Sequence, residues 1–360
     1  MYLSQLHLNN FRSYSDLNLT LTPGVTILIG ENGEGKTNII ESIIYLSILS
    51  SHRVTSDQPL VLLGKEQAII RAEVINNERK ALLELEINPN RANRAQLNSQ
   101  PTRSQRSLLG FVNTVFYTPE DLDLVRGDPG TRRFYIDQLL IQESPRLSGV
   151  ISDYERVVRQ RNSLLKTRAP QSSLTPWDDH LIDFGAEIIA ARTSLLEKLA
   201  PFFETAYKNI SHKKTFSVQY RSSLEEFSTN KEKNRDEFTK RLTEIQNKER
   251  ERGVTLIGPH RDDLLLLLDD HPVKGYASQG ESWSVALSLK LASYLFLKNK
   301  GINPILILDD VFSELDEARR EQLVDLANTN EQTLITVAVD GDLPQGITGG
   351  RFHIKNGALL

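Results

Sequence analysis

The 360-residue chain contains no cysteine, one methionine and two tryptophans. Without thiols it has no disulfide framework and no thiolate metal site, which suits a reducing compartment. Its seven histidines are scattered; they offer no paired metal-ligand spacing and predict no structural zinc. Long hydrophobic runs are missing too, since no stretch reaches the roughly 18 apolar residues of a membrane span. Met1-Tyr2-Leu3-Ser4 lacks the charged start and apolar core of a signal peptide, so the expectation is a soluble cytoplasmic protein with no membrane partner. Excess positive charge is also lacking. With a net charge of −4, any contact with nucleic acid has to come from local patches. Two stretches fit: Arg91, Arg94, Arg103 and Arg106 stand in an acid-free segment, and Arg156, Arg159 and Arg161 lie in a second stretch that also holds Asp153 and Glu155. Solvated loop and helix faces account for either stretch equally well.

What is present is more specific. At 39% hydrophobic and 25% charged residues, the chain has enough core-forming material for two lobes or two to three small domains. The apolar run Val25-Thr26-Ile27-Leu28-Ile29 leads into Gly30-Glu31-Asn32-Gly33-Glu34-Gly35-Lys36-Thr37, which fits the pattern G-x-x-x-x-G-K-[ST]. Glycines at these positions let backbone N–H groups close around phosphates. Lys36 is then expected to reach the β- and γ-phosphates, and the Thr37 hydroxyl to ligate magnesium. Ile39, Ile40, Ile43, Ile44 and Ser47 recur at the spacing of one helical face, so a helix aims its N-terminal dipole at the same anion.

Strand-like alternation precedes the loop at Leu3, Leu6 and Leu8 and across 17–21, and returns at 68–75 and 81–87 on either side of Asn76-Asn77-Glu78. These segments predict a small β-rich subdomain with a hairpin. From about 145 to 252 the chain turns to charged, helix-periodic segments, including 181–207 and 231–252. The pattern predicts a helical lobe or short arm whose segments break at Pro170, Pro176, Pro201 and around His212-Lys213-Lys214. An α/β character then resumes: a helix over 281–298, a buried strand over 305–308, a helix over 317–326, a strand over 333–339, and a closing hairpin turning at Asn356-Gly357. The expected division is 1–140, 141–252 and 253–360.

Four apolar residues running into Asp309-Asp310 supply what magnesium chemistry needs, a rigid strand that delivers a carboxylate opposite Thr37. Asp309 is the expected metal residue, and Asp310 the general base that polarises a water against the γ-phosphate. Lys36 and Asp309 are ~270 residues apart, so the phosphate-loop core is split around an inserted lobe. Ser278-Gln279-Gly280-Glu281 opens the helix over 281–298 and makes a second anion-binding end, or a plain N-cap. A chain that already has one phosphate cradle has use for a second if it closes over the nucleotide of another subunit.

The phosphate loop, the Ser278-Gln279-Gly280-Glu281 turn and Asp309-Asp310 followed by Ser313-Glu314-Leu315-Asp316 together resemble the ABC-type ATPase heads of the SMC and Rad50 proteins. Over its whole length the chain resembles the RecF family. The marks are Asn10-Phe11-Arg12-Ser13-Tyr14, Gly35-Lys36-Thr37-Asn38, Pro119-Glu120-Asp121-Leu122, Gly127-Asp128-Pro129, Arg132-Arg133-Phe134-Tyr135-Ile136-Asp137 and Gly258-Pro259-His260-Arg261-Asp262-Asp263. The resemblance implies a bacterial protein of recombinational DNA repair that binds DNA under ATP control, dimerises around two nucleotides, hydrolyses ATP weakly, and acts with RecR and RecO in loading RecA at single-stranded gaps. It also implies an ATP site including Arg12 and Asn38, with Arg53 nearby, a signature turn Ser278 to Glu281 acting in trans, and Asp316 crossing the dimer interface. Two features depart from the pattern: the turn continues Glu281-Ser282-Trp283 where the family has glutamine, a second glutamine and arginine, and Thr336-Val337-Ala338-Val339-Asp340 lacks the histidine of transporter ATPases. A chromosome-organising ATPase of SMC type would need a long coiled coil and hinge, a transporter-coupled ATPase a surface for a membrane partner, and a small-molecule phosphotransferase would have no use for the Ser278 turn.

Overall fold

The computed structural model describes residues 1–211 and 214–360, and of Glu314 and Ala318 the backbone. The chain divides into two compact units, Met1–Asp121 with Ser293–Leu360, and Leu122–Ala292. These divisions differ from those expected at 140/141 and 252/253. Helix Pro129–Glu143 and strand Asp263–Leu268, on either side of the expected lobe, pack on one another inside the second unit.

Two six-stranded sheets build the first unit. In one, Tyr2–Phe11 pairs antiparallel with both Tyr14–Thr20 and Ala68–Asn76, and Ala68–Asn76 pairs in turn with Arg79–Ile87. Alternation over 16–20 explains its two faces: Leu17 and Leu19 are buried while Asp16, Asn18 and Thr20 are exposed. The turn that joins 68–76 to 79–87 places Asn77 and Glu78 at φ 46° and 65°, the left-handed pair that a tight hairpin requires.

Gly24–Ile29, Gln332–Val337, Ile305–Asp309 and Thr114–Tyr117 run parallel as neighbours in the second sheet. Gly350–Lys355 adds to the free side of Gly24–Ile29 and turns back into Ala358–Leu359. The inner strands are buried on both faces, as parallel strands covered by other elements must be. Helix Lys36–Ile48 packs on strands of both sheets, so Ile39, Ile40, Ile43, Ile44, Tyr45 and Leu46 are nearly inaccessible to solvent.

Helices Pro129–Glu143, Leu147–Lys166, Gln171–Ile210 and Lys231–Arg252 dominate the second unit, with a three-stranded sheet of His271–Pro272, Asp263–Leu268 and Phe216–Arg221. Asn230 caps Lys231–Arg252 by accepting from the amides of Glu232 and Lys233, and Gly253 ends it at φ 66°. Pro170 does stand at a helix start, but the breaks expected at Pro176 and Pro201 are absent. Both prolines lie within the 40-residue helix Gln171–Ile210. An internal proline costs about 3 kcal/mol. Around Pro201 the buried side chains of Leu195, Leu196, Leu199, Phe203 and Tyr207 offset this, at about 1.5–3 kcal/mol for each large apolar group. Of the break expected around His212-Lys213-Lys214, residues 212 and 213 lie outside the described residues.

Candidate nucleotide site

Strand Gly24–Ile29 ends in the glycine loop, which feeds directly into helix Lys36–Ile48. A Cβ on Gly30 would sit 2.4 Å from the carbonyl oxygen of Ile354, and one on Gly35, which is at φ 113°, would sit 2.6 Å from the Tyr14 hydroxyl. Glycine is therefore required by the close approach of neighbouring strands as well as by loop curvature. The closing hairpin braces the same loop: the Gly357 N–H donates to the Glu34 carbonyl at 3.2 Å, and the Asn356 N–H donates to the Glu34 carboxylate.

Lys36 is 3% exposed, and its ammonium donates to the carbonyls of Gly30 (2.6 Å) and Glu31 (3.2 Å). Asp310 Oδ2 lies 3.9 Å away. At the end of strand Ile305–Asp309, Asp309 Oδ1 accepts from the Thr336 hydroxyl at 2.6 Å and from the Thr37 hydroxyl at 3.4 Å, while the Asp310 N–H donates to Thr336 Oγ1 at 3.0 Å. Thr336, on the neighbouring parallel strand in register with Asp309, thus orients both acids. Burial first, then the charges of Asp310 and Glu120, push the Asp309 carboxyl up to about 6 against the pull of the Thr336 hydrogen bond. Asp310 takes φ 51°, a left-handed conformation that aspartate tolerates.

Lys36, Thr37, Asp310 and Thr336 line one cleft of about 650 Å³ together with Asn32, Gly33, Gly35, Asn38 and Arg53, and Asp309 lies buried against Thr37 and Thr336. This donor set fits a magnesium triphosphate. A buried ammonium hydrogen-bonded to carbonyls, with its nearest carboxylate only at 3.9 Å, suits an anion, and a hydroxyl beside one disfavoured carboxylate suits a hard cation that keeps waters and phosphate oxygens in its shell. Among the described residues no cluster of three His, Cys, Asp or Glu side chains could hold a metal ion, so these residues form no all-protein cage.

Arg12 is engaged elsewhere: its guanidinium forms a two-pronged pair with Glu41 at 2.6 and 2.7 Å and also donates to the Pro59 carbonyl. Glu41 is wholly buried and also accepts from Ser51 and Arg53. Burial pushes its carboxyl up, but these partners hold it below the ordinary range. Asp316 caps helix Glu317–Thr329 by accepting from the Arg319 N–H.

In the second unit, Ser278 and Glu281 form a reciprocal capping box: the Ser278 N–H donates to Glu281 at 2.8 Å and the Glu281 N–H donates to Ser278 Oγ at 3.3 Å. Lys214, followed by Ser278, holds the Glu281 carboxyl down to about 2. Ser278 and Gln279 are exposed, whereas Ser282 and Trp283 are buried, so those two residues of the departure face the interior while Glu281 stays partly exposed.

The arginines proposed for DNA divide. Arg94, Arg103 and Arg106 are exposed and without an ion-pair partner among the described residues, while Arg91 pairs with Glu86. Arg156 and Arg159 are exposed beside Asp153 and Glu155 on their own helix. Arg161 is not a DNA contact: it is 1% exposed and locked to Asp178, Glu249 and Thr255. Position on the helix decided this, because Arg161 follows Tyr154 and Val157 on the apolar face. Sequence reasoning also passed over Thr336, Glu120, Glu41 and the Glu34 brace. Only Thr336 carried a local signal, as a hydroxyl ending an apolar strand.

A parallel core with a glycine loop and an acidic strand end is the architecture of ABC-type ATPase heads, and residues 2–344 match the family model of the RecF/RecN/SMC N terminal domain. A head domain of SMC bound to the C-winged helix domain of ScpA shares the fold, with a TM-score of 0.55 at 15% identity over 100% of this chain and 96% of that one. The recombination mediator protein RecF with ATP, in the RecFOR pathway, is 28% identical with a TM-score of 0.88, covering 100% of this chain and 98% of that one. The DNA replication and repair protein RecF of Streptomyces avermitilis is 47% identical over 370 residues, covering 100% of this chain and 99% of that protein. The chain belongs to the RecF family.

Proposed function

We propose that this protein is an ATP-driven clamp of recombinational DNA repair. The observation that carries this reading is that Lys36, Thr37 and Asp310 line one cleft with Asp309 buried against Thr37, in a chain 47% identical end to end to a DNA replication and repair protein. Backbone amides of residues 30–35 cradle the phosphates, Lys36 gives up its carbonyl partners for the β- and γ-phosphates, and Thr37 and Asp309 hold magnesium. Magnesium, when bound, neutralises charge that builds on the phosphate oxygens. Asp310 takes the proton of the attacking water. The exposed Ser278 turn of a second copy completes the γ-phosphate site in trans, with Asp316 at the subunit boundary, so ATP and dimerisation stabilise each other. Hydrolysis is slow, is modulated by DNA, and releases the clamp.

DNA is held without sequence preference by phosphate contacts from Arg91, Arg94, Arg103 and Arg106, with Arg156 and Arg159 in support. The protein works in the cytoplasm with RecR- and RecO-like mediators to load RecA at gaps. No helix among the described residues is long and apolar enough to cross a membrane.

Sedimentation and DNA binding with ATP test this. Asp310→Asn retains nucleotide and accumulates as a dimer that binds gapped and intact duplexes; Lys36→Met neither captures nucleotide nor dimerises. Affinity for duplex falls by about 0.9 log units per log unit of salt for each phosphate contacted. An Asp310→Asn protein that stays monomeric at saturating ATP refutes the sandwich.

A further inference from the structure

The second unit contains a cleft of about 320 Å³ bordered by helices Pro129–Glu143, Leu147–Lys166 and Gln171–Ile210, with Pro259 and His260 at its base. Of its two guanidinium groups, one is satisfied inside the cleft and the other is not. Arg192, 3% exposed, grips Asp137 through two hydrogen bonds of 2.7 and 2.8 Å and donates to the Pro259 carbonyl. His260 Nδ1 lies 2.6 Å from the Tyr154 hydroxyl, and its Nε2 lies 3.3 Å from the Thr255 carbonyl. A carbonyl only accepts, so Nε2 carries the proton and Tyr154 donates to Nδ1.

The unsatisfied guanidinium is that of Arg133. Among the described residues its one hydrogen bond is from Nη1 to the Asp262 carbonyl at 2.9 Å, and it pairs with no carboxylate among them. The three acids near enough to act on its charge are Asp137, Asp262 and Asp263, and all are taken. Asp137 serves Arg192; Asp263 accepts two hydrogen bonds from Arg132; Asp262 accepts from Tyr220 and the Ser223 amide. A partly buried guanidinium left with most of its five donors free is unfavourable, and burial together with Arg192 weakens its hold on its proton. Beside it Phe134 is 36% exposed, and Ile151 and Ile188 line the same cleft.

We propose that this cleft docks a protein segment presenting an apolar side chain next to a carboxylate, with Arg133 as the carboxylate's partner and Phe134, Ile151 and Ile188 as the apolar seat. The free cation selects the charge of the occupant, and the walls select its apolar part. A nucleic-acid backbone fits poorly, because a run of phosphates needs several free cations and the cleft's other arginine, Arg192, is already paired with Asp137. The Arg132-Arg133-Phe134 and Gly258 to Asp263 motifs, which have no part in the nucleotide site, thereby acquire a function: one supplies the anchor, the other the floor.

N-acetylphenylalanine, a carboxylate at neutral pH, and its amide are the probes, titrated against the full chain by NMR. The carboxylate is expected to bind about tenfold tighter than the amide, the difference of one charge-assisted hydrogen-bonded contact. Arg133→Gln abolishes that preference. Phe134→Ser weakens both ligands several-fold at a modest cost in melting temperature, since the ring is 36% exposed; it keeps the test decisive if Arg133→Gln folds poorly. Equal affinity for acid and amide overturns the proposal, as does absence of binding at about 10 mM. Displacement of the probe by short duplex DNA or inorganic phosphate, through Arg133, assigns the site to a phosphate instead and also overturns it.

Discussion

Asp309→Asn is expected to stabilise the metal-free protein while disabling it. The carboxyl is 5% exposed and is pushed from an ordinary 3.8 to about 6 by burial and by Asp310 and Glu120. An acid whose folded pKa is raised binds more protons when folded, so its contribution weakens stability as pH rises from about 4 to 6. A shift of about two units corresponds to ~3 kcal/mol of destabilisation at pH 7.5, falling to ~1 kcal/mol near pH 4.5. Asparagine keeps the oxygen that accepts from Thr336 at 2.6 Å and removes the charge. Thermal unfolding in EDTA is therefore expected to show the variant melting several degrees higher at pH 7.5, at about 2–4 °C per kcal/mol, with most of the gain lost at pH 4.5. Magnesium-dependent nucleotide binding is lost in the same variant. A gain equal at both pH values, or a loss of stability at pH 7.5, refutes the assignment of Asp309 as a carboxylate held against its own charge for a cation.

Acid should act oppositely through His260, which burial lowers from 6.5 to about 4, so the folded state rejects a proton that the unfolded chain accepts. Stability of the second unit then falls as pH drops from about 6.5 to 4, by up to ~3 kcal/mol, and a urea midpoint flat across that window contradicts the buried neutral imidazole. Glu41→Ala leaves Arg12 and Arg53 without their shared carboxylate and is expected to cost about 3–5 kcal/mol in a denaturant titration. Glu34→Ala removes the acceptor of the Asn356 amide; nucleotide affinity should fall several-fold in a calorimetric titration while the midpoint of unfolding moves by less than about 1 kcal/mol.

Local chemistry was legible without coordinates. Glycine spacing, the helical face of Ile39 to Ile44, the apolar run into Asp309 and the Asn356-Gly357 turn each depend on neighbours within a few residues, and each is found where its pattern placed it. The five-leucine run Leu264 to Leu268 was overlooked as a strand, although its length and flanking acids suit one.

Partners brought together across the chain were not legible. Thr336 reaches Asp309 because two parallel strands lie in register; Glu34 meets Asn356 because the last hairpin adds to the edge of Gly24–Ile29; and Gln171–Ile210 runs through two prolines because neighbouring helices bury its side chains. Arg161 and Arg156 look alike as letters, yet one is sealed inside and the other is solvated. Turn and helix propensity act over short range, so the residue pattern was enough to say which groups can hold a phosphate. Only tertiary packing decided which charges lost their water and which found a partner, because desolvation and pairing are set by atoms far away in the chain.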